Sequence, residues 1–466
     1  MTKSVFHISS LEMKEGTNKK FWNDECVALH SSIWLPSISE KEPNFSSTHH
    51  HLTKIQTPLN ASSIITTLLD DSAFLGTPPK ETTAIASKKI RIYPEDVKKY
   101  EEALSLYRRS YNLAVERYRG DSYKDDNGKW RNLRPEIKQI VKEECGSDGR
   151  VYNSIIVDNA VLSAQQTFKN VCSRNKKRKG EKGGFGEIQF KSRKASRQSF
   201  SMDRLPKGLC PAIRVLGKVH ITEGIPYEAI NKSFTVTRER GRWFICVQKH
   251  IPLGADIQGQ VKCVAIDPGV RTFATCYSDN EVLIFGDDFA KDKLVPLMKR
   301  VDRLIGLRQK VLNNAPKEET QWVKDRLKHL NREIDRLRSK KDDLILDIHN
   351  RVAHHLVTHY DVIFLPTFET SKMVAKKDKK RRIRANTCRQ MLDLCHYQFK
   401  MRLKWYAKKY GKHVVDCNEA YTSKTRSCDG TIDEKLGSSK VIKGDGFIVD
   451  RDVNGARNIF MKCLTR

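Results

Sequence analysis

Val261-Lys262-Cys263-Val264-Ala265-Ile266-Asp267-Pro268-Gly269-Val270 is the stretch on which the fold turns. Apolar residues fill it almost without interruption, the pattern of a buried strand, and it delivers an acid just before a Pro-Gly turn. A carboxylate carried into a core is costly unless it is paired or binds metal. Arg271–Tyr277 reads as the next strand. Downstream, Leu294, Leu297, Val301 and Leu304 mark one helix, and Val323, Leu327, Leu330, Ile334 and Leu337 mark another. Their spacing of four and three gives each a seam to press against the other, an antiparallel hairpin inserted between strands over about residues 290–358. His355 and His359 have helical zinc-pair spacing, but no Glu follows the first and no third ligand is evident, so they read as packing or surface residues.

The alternation continues to the end of the chain. Val362-Ile363-Phe364-Leu365 is a strand stopped at Pro366, a helix follows with Leu392, Cys395, Phe399, Leu403 and Tyr406 on one face, and His413–Cys417 is another strand. The chain closes with Asp450-Arg451-Asp452-Val453-Asn454-Gly455-Ala456-Arg457-Asn458-Ile459, acids and an Asn leading into a helix.

Charge shows what this machinery meets. The 466 residues carry 86 Lys+Arg against 56 Asp+Glu, net +30. Residues 1–88 hold eight Lys and nine acids, which leaves 78 basic and 47 acidic side chains, net +31, on the rest. Such an excess attracts a polyanion, and nucleic acid is the commonest large one. At 30% charged and 38% hydrophobic, with no run of eighteen apolar residues and no signal-peptide pattern, the chain reads as a soluble intracellular protein. Twelve cysteines without one C-x-x-C pair fit a reducing compartment.

Residues 1–87, rich in Ser, Thr, Asn and Pro, read as a poorly ordered extension with one short helix near Ser63–Leu69. Its triplet His49, His50 and His51 has no partner ligands and reads as a solvated tract. Ile90-Arg91-Ile92-Tyr93-Pro94 alternates like a half-buried strand, and Leu104, Tyr107, Tyr111 and Val115 recur like a helix with one buried face. A second helix is expected over Val151–Cys172. Residues 183–258 read as all-β, with strands near Glu187–Phe190, Val215–Ile221, Phe234–Thr237 and Trp243–Val247, a small barrel threaded by the preceding helices. Two basic runs stand out: Arg174, Lys176, Lys177, Arg178 and Lys179, and later Lys376, Lys377, Arg381 and Arg382. Both suit phosphate contacts or a nuclear-import patch, a solvated loop being the bland alternative.

Strands alternating with helices, with acids at strand ends and at the mouth of the last helix, are the plan of a ribonuclease-H-like α/β domain. In that plan distant acids converge on two divalent ions about 3.5–4 Å apart that serve phosphodiester hydrolysis. Hard oxygen ligands select Mg²⁺, with Mn²⁺ able to substitute, over zinc.

Ile266-Asp267-Pro268-Gly269, Tyr421-Thr422-Ser423-Lys424-Thr425 and the Asp450–Ile459 segment together resemble the RuvC nuclease motifs of the TnpB family, and more specifically those of its eukaryotic and viral relatives, the Fanzor proteins. Upstream, Ile90–Pro94 and Phe190-Lys191-Ser192-Arg193 are similar to the family's wedge and recognition domains. The resemblance covers about residues 88–466. It implies an α+β multidomain chain: a β-barrel wedge (88–94 and 183–259), a helical recognition domain (95–182), and a RuvC domain (260–466) with its helical insertion and a target-nucleic-acid-binding loop at about 422–449. It implies an RNA-guided DNA endonuclease acting as a monomeric ribonucleoprotein on double-stranded DNA beside a short flanking motif, with a noncoding guide of the omega-RNA type and no membrane. Asp267, Glu419 and Asp452 would hold the ions, with Asp450 the fallback for Asp452, and Lys191, Arg193, Lys424, Arg451 and Arg457 would join the basic runs in contacting nucleic acid. The runs imply the nucleus, the cytoplasm being the alternative.

Two departures qualify this. Pro366 stands where TnpB proteins have their second acid, and a proline binds no metal, so Glu419, which many Fanzor proteins share, is assigned that role over Glu369. The positions of the two zinc knuckles read Arg426, Asp429, Ile442 and Asp445, with Cys428 alone between lost ligands, so no zinc is expected. Lost ligands also keep open a guide-dependent binder that does not cut, and a ribonuclease-H-like transposase working without RNA is a third reading.

Overall fold

The computed structural model describes residues 6–8, 83–120, 130–149, 152–177, 186–206, 216–254, 257, 260–316, 320–375, 383–418, 422, 424–432, 439–444 and 447–464. Its contacts divide the chain into two units, one mainly Ile85–Ile251 and one mainly Pro252–Arg466. Ahead of both in the chain is a short strand, β1 (Phe6–Ile8).

The first unit comprises β2 (Thr83–Pro94), helices α1 (Val97–Arg119), α2 (Arg134–Asp148) and α3 (Ser154–Lys177), and strands β3 (Arg197–Met202), β4 (Val219–Ile221), β5 (Phe234–Glu239) and β6 (Arg242–Pro252). The strands form a sheet in the order β3-β5-β6-β2-β4. Asp96 starts α1 by accepting the Lys99 amide at 3.2 Å, as a side-chain oxygen at that position should. Ile90 and Ile92 of β2 are buried with Tyr100, Phe200 and Trp243, and Tyr100 meets the Trp243 ring edge-on at 5.5 Å.

Three expectations fail in this unit. Glu187–Phe190 is not a strand: Arg119 donates two hydrogen bonds to the Ile188 carbonyl, and the Asn112 amide both donates to and accepts from the Lys191 backbone. With those groups already satisfied by α1, no ladder is needed. Helix α2 was not anticipated, although Pro135 in its first turn and Gly149 at φ 63° after its end are ordinary helix punctuation. Helix α3 outruns its expected end and carries Arg174 and Lys176 on its exposed side.

The second unit begins with β7 (Cys263–Pro268), β8 (Thr272–Tyr277) and β9 (Val282–Asp287), an antiparallel meander. A π-helical turn at Ala290–Leu294 leads into α4 (Val295–Asn313) and α5 (Gln321–His359). Then come β10 (Val362–Pro366), the short α6 (Thr370–Val374), α7 (Ala385–Leu394), α8 (His396–Tyr410), β11 (His413–Cys417), the hairpin β12 (Val441–Gly444) and β13 (Phe447–Asp450), and α9 (Arg451–Leu464). The sheet runs β1-β9-β8-β7-β10-β11, with β10 parallel to both β7 and β11 and β1 parallel to β9. Without β1 this is the 3-2-1-4-5 order, second strand reversed, of a ribonuclease-H-like sheet. Strand β1 and the start of β2 at Thr83 both lie inside the segment read from sequence as an unstructured extension.

Val264, Ala265 and Ile266 are fully buried, as an uninterrupted apolar run requires. The hairpin of α4 and α5 closes on Val301, Ile334 and Leu337, the anticipated seam. Beyond it α5 continues along the sheet, burying Ile345, Val352 and Leu356 with β7, β8 and β9 residues. Its His355 stacks on His359 at 4.1 Å, and burial first, then His359, pushes the His355 pKa down to about 4. The long helix expected after Pro366 is instead two helices, because Cys395 adopts the left-handed conformation at φ 52°. The break turns Leu392 outward, where it is 53% exposed, while Phe399 and Leu403 stay buried.

Candidate metal and nucleic-acid site

Strand β7 carries Asp267 to the end of the sheet where the parallel strands finish. The β7–β10 register pairs Val362 with Cys263 and Phe364 with Ala265, and the same offset sets Pro366 level with Asp267. Pro366 in turn pairs with Cys417, the last residue of β11. Asp267, Pro366 and Cys417 therefore mark one line across the carboxyl ends of three strands, the edge where open α/β sheets place their sites. Glu419 follows two residues after that line and lies outside the described residues, as do Arg178, Lys179, Lys376, Lys377, Arg381, Arg382, Asp445, the His49–His51 triplet and the segment Ser63–Leu69. The side chain of Lys177 is also outside them.

Helix α9 lies against the same edge. It buries Ile459, Phe460 and Cys463 against Cys263, Ala265, Val362 and Phe364, and the packing is closest at Gly455. A Cβ there would overlap Oδ2 of Asp267 and stand 3.2 Å from its Cγ. Asp452 is three residues from Gly455, on the same helix face one turn earlier, so the fold brings Asp267 and Asp452 to one place. Asp450 caps the helix: its Oδ1 accepts the Asp452 amide at 2.8 Å.

Arg271, four residues after Asp267, joins these acids. Its Nη2 donates to Asp452 Oδ2 at 2.7 Å and to the two oxygens of Asp450 at 3.1 and 3.0 Å. Burial alone would lower the arginine pKa, but the Asp452 and Asp450 carboxylates outweigh it and raise it. On the neighbouring strand β8 the Cys276 thiol is pushed up by burial, and then by the charge of Asp267.

Among the described residues no group of three or more His, Cys, Asp or Glu is set to hold a metal ion. The donors present nevertheless fit a hard divalent cation: carboxylate oxygens from a strand end and a helix N-terminus, with a positive group already attracted to two of the acids. Glu369, the competing second acid, begins α6 and pairs with Lys372 at 2.6 Å, with its side chain 54% exposed.

The loop before β12 is fastened to α9 by two asparagines. Asn454, fully buried, accepts the Ser427 amide and donates to the Thr425 carbonyl, both at 2.8 Å. Asn458 donates to the Thr422 and Thr425 carbonyls at 2.8 and 2.6 Å. Where the first zinc knuckle was aligned, Arg426 and Asp429 form an ion pair at 3.8 Å, and the same turn is closed by hydrogen bonds from Gly430 to Arg426 and from Arg426 to Thr431. Ile442, aligned with a ligand of the second knuckle, is buried, and Cys428 is exposed.

Of the basic residues expected to meet nucleic acid, Arg174, Lys176, Arg193 and Lys424 are exposed, while Arg451 and Arg457 are half-buried on α9. The Lys191 ammonium lies over the Tyr107 and Tyr111 rings at 4.9 and 4.6 Å, and burial lowers its pKa. It spends its charge on aromatic faces rather than on solvent. Arg271, Gly455 and Asn458 were not singled out from sequence. For Asn458 the signal is its spacing of four from Asn454, which sets the two along one stripe of the last helix.

The family model for the Cas12f1-like TNB domain matches residues 396–459. The TnpB-like protein L79 of Acanthamoeba polyphaga mimivirus is 25% identical over 393 residues, covering 80% of this chain and 72% of that protein. The putative RNA-guided DNA endonuclease InsQ of Escherichia coli (strain K12) is 27% identical over 238 residues, 49% of this chain and 56% of its own length. Among solved structures, that of a Cas12f1-sgRNA-target DNA complex overlaps with a TM-score of 0.45 at 13% identity, over 81% of this chain and 99% of that one. No described helix is long and apolar enough to cross a membrane.

Proposed function

We propose that this chain, which is similar to TnpB-like proteins, is an RNA-guided DNA endonuclease of the Fanzor type, dependent on Mg²⁺. The observation that carries the reading is the approach of α9 to Asp267 at Gly455, which sets Asp267, at the carboxyl end of β7, against the helix face that carries Asp452. Asp267, Asp452 and Glu419 would hold two Mg²⁺ ions, or Mn²⁺ in their place, which would supply activation of a water and charge stabilisation at the leaving oxygen of the phosphodiester. Asp450 fixes the start of α9 and so the reach of Asp452. The guide RNA, of the omega-RNA type, pairs with one DNA strand, and the excess of Lys and Arg neutralises the two backbones. The five-stranded sheet of the first unit serves as the wedge and its helices as the recognition domain, where Arg174, Lys176 and Arg193 meet phosphate. Lys424, Arg451 and Arg457 meet the strand being cut. The particle is a monomeric ribonucleoprotein that works in the nucleus, and the loop between Thr425 and Asp450 needs no zinc.

Pro366, level with Asp267, favours a second reading, a guide-dependent binder that does not cut. Incubating the purified ribonucleoprotein with Mg²⁺ and a matched plasmid separates the two: linear product is expected, and intact plasmid that is nevertheless bound would establish the binder. A purified protein carrying no discrete RNA would instead favour a transposase.

A further inference from the structure

Nη2 of Arg271 has three carboxylate oxygens around it, two from Asp450 and one from Asp452, between 2.7 and 3.1 Å. That nitrogen carries two hydrogens, so three acceptors crowd one donor. When a guanidinium fork meets a single carboxylate, two nitrogens usually serve two oxygens. Here oxygens from two side chains converge on one positive point instead, which is how acids gather about a cation. The pairing is half-buried, with Arg271 27% and Asp452 31% exposed at their side chains. Chain geometry favours it, because Arg271 stands just before β8 at the far side of the Pro268-Gly269 turn that follows Asp267.

We propose that Arg271 is a built-in counter-cation that holds Asp450 and Asp452 together until a divalent ion takes Asp452 from it, so that arginine and ion compete for one carboxylate. The inference rests on the reading of Asp452 as a metal ligand. Mg²⁺ binds oxygen at about 2.0–2.1 Å. An ion that close to Asp452 would face a guanidinium hydrogen-bonded to the same oxygen, two cations a few ångströms apart in a half-buried site. Arg271 then keeps Asp450, whose capping role leaves it in place, and releases Asp452. Without its arginine the acid pair would repel itself before metal arrives.

The test uses full-length protein and Mn²⁺, followed by the loss of the free-ion paramagnetic resonance signal. R271Q is expected to bind Mn²⁺ on the order of tenfold more tightly than wild type. It should also melt lower than wild type in EDTA and gain more from added Mn²⁺. R271K keeps a charge without the fork and should fall between the two, which preserves the test if the glutamine variant does not fold. D452N is the reference. Binding that depends on Asp452 but is unchanged or weaker in R271Q and R271K would overturn this inference alone. Binding that ignores Asp452 in every background would overturn the metal reading and the inference with it.

Discussion

Gly455→Ala separates the site from the fold. A Cβ at 455 would sit 3.2 Å from the Asp267 Cγ and overlap its Oδ2, whereas carbon atoms in contact prefer about 3.5–4.0 Å. The carboxylate must therefore retreat by roughly half an ångström at Cγ, and further at the oxygen, or α9 must lift from β7. Rotating Asp267 off its rotamer costs about 0.5–1.5 kcal/mol, while replacing a helical Gly by Ala returns about 0.8–1.0 kcal/mol. The two nearly cancel, so stability should stay within about 1 kcal/mol of wild type. Activity should not, because a misplacement of about 1 Å at a reacting centre costs on the order of 100-fold. The assay pairs urea unfolding with guide-directed plasmid cleavage. A variant with normal stability and normal cleavage would refute the claim that the approach of α9 to Asp267 builds the site. A variant that simply unfolds would show that Gly455 serves packing first.

Glu419→Ala should abolish plasmid cleavage while leaving RNA binding intact, and Glu369→Ala, which removes only the partner of Lys372, should cut normally; the reverse outcome would move the second acid to Glu369. The zinc-selective chelator 1,10-phenanthroline should leave cleavage unchanged. Asn454→Ala should destabilise by about 1–3 kcal/mol in urea unfolding, since it leaves the Ser427 amide unpaired in a buried place while the Thr425 carbonyl keeps its bond from Asn458. His349 and His396 are buried and neutral, their pKa values pushed down to about 4, chiefly by burial. Unfolded chains take up these protons from about pH 6.5 downward and the folded protein does not until about pH 4. Stability should thus be intact above pH 6.5 and fall between 6.5 and 4, by up to about 3 kcal/mol per histidine, and an unfolding midpoint that is flat over this range would contradict it.

The sheet of the second unit was legible because its strands are buried runs of ordinary length and its hairpin keeps a strict seam. The apolar content of β7 alone announced the strand, and the acid at its end marked the candidate site. The break at Cys395 was not legible, because a left-handed cysteine leaves no mark in the apolar spacing of Phe399, Leu403 and Tyr406. Helix α2 is polar enough to pass for a connection, whereas β9, as long as β7 and apolar over Val282–Phe285, carried a plain signal that was passed over. Segment 187–191 alternates like a strand, yet its backbone is taken by Asn112 and Arg119, long-range partners that no local pattern shows. The candidate acids stand in motifs that the sequence shows, whereas Arg271 reads only as the first residue of a strand, since its relation to Asp450 spans 179 residues. Lys191 shows the same limit: its charge is visible in the sequence and the two tyrosines beneath it are not.

The central claim is that a guide RNA directs this chain to cut DNA with the acids around Asp267. The most direct measurement purifies the ribonucleoprotein, sequences the RNA that accompanies it, and supplies Mg²⁺ with a plasmid complementary to the guide segment. Linear plasmid from wild type and none from Asp267→Ala is the predicted result. Supercoiled plasmid left intact by the wild-type particle, or equal cutting by the Asp267→Ala particle, would contradict the account.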